Sequence, residues 1–85
     1  MKKLDPKRYN LSSRTNILQG NQKELYIVID RKSRIIMKDG YRILNTAKTI
    51  LETGGPCLIH VLTSAPVCSK TQLFLLENNI QIKAL

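Results

Sequence analysis

The apolar residues of the chain fall into compact blocks separated by polar punctuation. LYIVI, residues 25–29, is continuous and β-branched, which predicts a strand buried on both faces. Asp30-Arg31-Lys32-Ser33 interrupts it, and RIIM, residues 34–37, resumes the apolar pattern. A hairpin around residues 30–33 is the favoured reading, with one long bent strand as the alternative. Lys38-Asp39-Gly40 then reads as a turn, with Asp39 placed to cap a helix. Over residues 40–53 the period changes to that of a helix. Ile43, Ala47, Ile50 and Leu51 share one face and Leu44 flanks it. Gly54-Gly55 stops this helix and Pro56 prevents its continuation.

CLIHVL, residues 57–62, predicts another buried strand. Ser69 followed by Gln72 has the form of a capping box, with Cys68 and Leu73 placed as its hydrophobic staple. A second helix over residues 70–78 is expected to bury Leu73, Leu76 and Phe74. IQIKAL, residues 80–85, alternates as the strand at a sheet edge does. Residues 1–22 keep neither period for long. Pro6, Ser12-Ser13 and Gly20-Asn21 break them up, which predicts a basic, flexible, extended arm with one docked piece near Ile17-Leu18. The expected fold is therefore a small single-domain α/β unit, ββαβαβ over residues 23–85. Its sheet is expected to be mostly parallel, with two helices and the N-terminal arm.

Length and charge sharpen the picture. Eighty-five residues make one domain. No apolar run approaches the roughly 18 residues of a membrane span, and no apolar segment follows the charged start MKKLDPKRYN as a secretory signal requires. Cys57 and Cys68 are read as free thiols in a reducing, cytoplasmic setting. Their spacing and the single histidine, His60, fit no zinc pattern, so no metal or cofactor is expected. The net charge is +8, and residues 1–42 hold eleven of the fourteen Lys/Arg but four of the six acids. A basic half beside a near-neutral half predicts a polyanionic partner, RNA or DNA, or an acidic protein surface. The residues expected to contact phosphates are Lys7, Arg8, Arg14, Arg31, Lys32, Arg34, Lys38 and Arg42. No aromatic stacking pair, zinc finger or Gly-x-x-Gly clamp accompanies them, so sequence reading is not expected.

Two further constellations carry chemistry. Ser64, four residues, then Ser69-Lys70-Thr71 has the spacing of a phosphate loop whose glycines are replaced by serine. Pro66 removes an N–H donor and serine lacks glycine's access to positive φ, which excludes a nucleotide-hydrolysing loop. A simpler anion site at Ser69, Lys70 and Thr71, on the start of the second helix, survives that objection. In the same place Cys68 is a candidate reactive thiol, since a helix N-terminus and Lys70 favour thiolate. His60 lies two residues before its strand ends, about 7 Å back, so no Cys–His dyad is expected. Asp30-Arg31-Lys32 echoes the acid-x-lysine element of nucleases, for which Asp39 or Glu24 would have to supply a second acid.

Residues 61–82, VLTSAPVCSKTQLFLLENNIQI, resemble a strand–loop–helix–strand segment of the ribosomal, kink-turn-binding RNA-binding proteins. Val61-Leu62, Ala65-Pro66 and Asn79-Ile80 carry the likeness. That family's Gly-x-Asn-Glu-x-x-Lys motif has no counterpart around the first helix, so no site residue is carried over. Three readings follow: a nucleic-acid-binding module, a non-enzymatic subunit docking on a protein partner through its arm, and a small anion- or thiol-dependent site. No catalytic residue is assigned.

Overall fold

A computed structural model describes residues 2–21, 23–55 and 57–85. Five strands form one sheet in chain order, β1 (Lys2–Leu4), β2 (Ile17–Gln19), β3 (Glu24–Ile29), β4 (Leu58–Thr63) and β5 (Ile80–Ala84). Helix α1 (Met37–Gly54) connects β3 to β4, and α2 (Ser69–Glu77) connects β4 to β5. β3, β4 and β5 are parallel, whereas β1 and β2 are antiparallel additions. The sheet is thus mixed, which corrects the mostly parallel expectation and adds a strand to the ββαβαβ order.

The extra strands come from the segment read as an arm. Ile17 is fully buried, and Leu4, Tyr9 and Leu11 pack on the same core. Burying one isoleucine is worth about 1.5–3 kcal/mol, enough to hold short strands that have no period of their own. A hairpin exists, but one element earlier than expected. β2 turns into β3 through Gly20 and Asn21, with Gly20 N–H donating to Glu24 O at 3.0 Å. The run at residues 34–37 is not a strand. Ile35 makes a single parallel bridge to Val67 and plugs the core, and α1 begins two residues later.

That early start has a local cause. Asp39 sits inside the first turn rather than before it. Its Oδ2 accepts from Ile36 N–H at 2.9 Å, so it caps the helix from the third position. α1 ends at Gly55, whose φ of 82° suits glycine. The stop assigned to Pro56 lies outside the described residues.

Both parallel crossovers step the same way across the sheet, so right-handed connections place α1 and α2 on one face. Leu25, Ile27, Ile59, Val61 and Ile80 meet Ile43, Ala47, Ile50 and Leu75 there. Gly40 lets the helices close up, since a Cβ at this position would stand 3.0 Å from Thr71 Cγ2 and 3.4 Å from Phe74. The other face carries Tyr26, His60 and Leu62, which are buried mainly against strand neighbours. No helix among the described residues is long and apolar enough to cross a membrane.

Candidate functional site

The carboxyl ends of β3 and β4 and the starts of both helices meet at one end of the sheet. The connection 30–36 and the loop 64–68 are laced together there. Ile35 N–H donates to Pro66 O and Cys68 N–H to Ile35 O, both at 2.9 Å. Thr63 Oγ1 donates to Ile29 O at 2.7 Å, and Ser64 Oγ donates to Asp30 Oδ1 at 2.6 Å. Ser64, read as the first residue of a phosphate loop, is therefore a tie between two loops.

Five of the expected phosphate contacts, Arg31, Lys32, Arg34, Lys38 and Arg42, occupy this end. Arg31 reaches Asp39 with Nη2 at 2.6 Å and also donates to the carbonyls of Ser33 and Arg34. It braces its own loop and offers only part of its charge outward. The hydrogen bond from Arg31 holds the Asp39 carboxyl below its ordinary 3.8. Burial opposes this, and Ile36 N–H and the charges of Arg31 and Arg42 reinforce it. Of the acids here, Asp39 is thus held in an ion pair, whereas Asp30, among the described residues, accepts only from the Ser64 hydroxyl and keeps its charge. Lys32, Arg34, Lys38 and Lys70 make no ion pair among the described residues.

The remaining three expected contacts lie elsewhere or at the rim. Arg14 is on a turn just before β2, whose entry lies beside the end of β3 through Val28 N–H to Asn16 O. Lys7 and Arg8 belong to a 3-10 turn, Pro6–Tyr9. The Tyr9 ring packs on Gly54 at the far end of α1, about 27 Å of helix away from its start.

The start of α2 differs from expectation. Cys68, not Ser69, is the capping residue. Its N–H is committed to the Ile35 bridge, which holds it extended (φ −57°, ψ 134°), and Gln72 N–H then donates to its carbonyl at 2.9 Å. The Ser69/Gln72 capping box is replaced by this arrangement. The Cys68/Leu73 staple does not form either, because Leu73 is 59 % exposed. Thr71 and Lys70 lie in the first turn beyond Cys68, whose side chain makes no capping hydrogen bond. Their backbone N–H groups lower the thiol from its ordinary 9.0, burial opposes this, and the charge of Arg34 adds to the lowering. Burial alone raises Cys57. Thr71 is completely buried, so of the anion-site trio only Ser69 and Lys70 face solvent.

A second polar group escaped sequence reading. On the helix-free face His60 Nε2 lies 2.9 Å from Glu24 Oε2, and Tyr26 OH donates to the same oxygen at 3.3 Å. The Tyr26 and His60 rings are 5.0 Å apart, and Lys83 Nζ lies over Tyr26. Only the parallel register, which sets Tyr26 beside His60, brings these residues together. Glu24 is at the opposite end of β3 from Asp30, so it cannot serve as the second acid of a nuclease site. Among the described residues no group of three metal-binding side chains exists. No protein-family model, curated protein or solved structure matches the chain.

Proposed function

We propose that this chain is a nucleic-acid-binding module that grips phosphates at the loop end of its sheet. One observation carries the reading: two helix N-termini and the side chains of Arg31, Lys32, Arg34, Lys38, Arg42 and Lys70 share that end against two acids, Asp39 paired with Arg31 and Asp30 hydrogen-bonded to Ser64. The helix dipoles add a positive field to such a surface. Tyr41, exposed beside Phe74 and next in sequence to Arg42, offers one stacking surface for a base. The lacing of the two loops fixes the cations without the cost of ordering them on binding. Arg14 extends the surface at its rim, and Lys7 and Arg8 contribute only to long-range attraction. The free thiols fit a reducing, cytoplasmic setting.

The test is fluorescence anisotropy with labelled single strands, duplex DNA and structured RNA over a range of salt. Log affinity for duplex is expected to fall with log salt with a slope of about −4 to −5, as contact with about five phosphates requires. Absence of binding at the lowest salt overturns the proposal. Docking through a free arm is a weaker reading, because residues 2–4 and 17–19 are committed to the sheet. A second reading, a reactive thiol at Cys68, rests on the place of this free cysteine at the start of α2, where the first-turn N–H groups lower the thiol. Its own test is the alkylation rate described below.

A further inference from the structure

The two edges of the sheet are built differently. β1 is three residues long and carries Lys2 and Lys3, the usual protection of an exposed edge against pairing. β5 is five residues long, carries one lysine, and has no strand beyond it among the described residues. The parity of its ladder tells which backbone groups are open. Leu85 N–H donates to Thr63 O at 3.0 Å. Backbone groups alternate sides along a strand, so Gln81 and Lys83 also turn theirs toward β4. Ile80, Ile82 and Ala84 turn their N–H and C=O groups outward.

We propose that a second copy of this chain pairs with this edge, β5 against β5, antiparallel about a two-fold axis at Ile82. In that register Ile82 meets the partner's Ile82 and Ile80 meets the partner's Ala84. Every outward donor and acceptor of the strand is then satisfied. On the helix-free face Lys83 stands opposite the partner's Gln81. Moving the axis one residue to Lys83 would set lysine against lysine, so charge selects the register centred on Ile82. A two-fold axis also makes the contact self-limiting, since it consumes the edge in both copies.

The helix layer supplies the apolar part. Thr71 and Phe74 face α1. A 3.6-residue period therefore turns Leu76 toward the free edge of β5 and Leu73 to the outer surface beside it. They are 47 % and 59 % exposed, and Leu76 borders a groove that wraps the edge to Gln81 and Lys83. Joining the strands sets two antiparallel α2 helices side by side, so these leucines cover one another together with the half-buried Ile82.

Analytical ultracentrifugation of the full chain tests this. A species of twice the chain's mass is expected. Ala84→Pro removes an outward N–H but no bond to β4, and should weaken the dimer at least about tenfold. Gln81→Lys sets a lysine opposite the partner's Lys83 and should weaken it about tenfold. Adding Lys83→Glu to the Gln81→Lys chain should restore association. All three positions are exposed, so the far-ultraviolet spectrum should not change. If Ala84→Pro fails to fold, the two charge variants still decide. A monomer at every concentration, or a dimer indifferent to the charge variants, overturns the proposal.

Discussion

Replacing Asp39 with alanine separates what holds the loop end together from what it binds. The carboxylate caps α1 through Ile36 N–H and anchors Arg31, which braces residues 33 and 34. Loss of the cap costs about 1 kcal/mol. Arg31 is about a third exposed, so solvent holds the ion pair near the upper surface value, about another 1 kcal/mol. Together, about 2 kcal/mol corresponds to a drop in melting temperature of about 8–16 °C for a domain this small. Thermal melts followed by circular dichroism measure it, and a double-mutant cycle with Arg31→Ala isolates the pair.

The pH dependence has a fixed sign. Asp39's folded value lies below 3.8. Its contribution is therefore fully present above the unfolded value and is lost as pH falls through the folded one. The gap between native chain and variant must close on acidification below 3.8. Polyanion binding should move the other way, because the variant removes a negative charge and frees Arg31. A variant as stable as the native chain at neutral pH, or a gap that persists in acid, refutes the role given to Asp39.

Other outcomes follow from the same contacts. Cys68 should alkylate several-fold faster than Cys57 at neutral pH, read by mass spectrometry, since the first thiol is lowered and the second raised. Thr71→Val should leave stability unchanged or raise it by up to about 1 kcal/mol in denaturant titration, because the Thr71 hydroxyl is buried without a hydrogen-bond partner among the described residues. Gly40→Val should cost more than about 2 kcal/mol in the same assay, since even a Cβ meets Thr71 at 3.0 Å.

Elements with a sustained local period were legible. β3, α1, β4, α2 and β5 lie within a few residues of where apolar spacing puts them. What escaped depends on partners distant in sequence. β1 and β2 are three residues each, too short for a period, and exist because Ile17 and Leu4 complete the core under α1. Ile35 looks like a strand residue and is buried as one, yet among the described residues it bridges only Val67, thirty-two positions on. The same bridge moves the α2 cap from Ser69 to Cys68, so a capping signature correct in form was overruled by a tertiary hydrogen bond. At the candidate site, the cluster from Arg31 to Arg42 was visible as charge density. That Asp39 is paired with Arg31, that Asp30 is tied to Ser64, and that Lys70 joins the cluster required the loops to be seen together.

The most direct measurement compares two variants in the salt-dependent anisotropy assay. One carries Arg34→Ala, Lys38→Ala and Lys70→Ala, and the other Lys7→Ala and Arg8→Ala. Phosphate binding at the loop end predicts that the triple variant loses about 2.7 from the magnitude of the duplex salt slope, while the double variant keeps the native slope. Equal losses in both, or a native chain whose binding ignores salt, would contradict it.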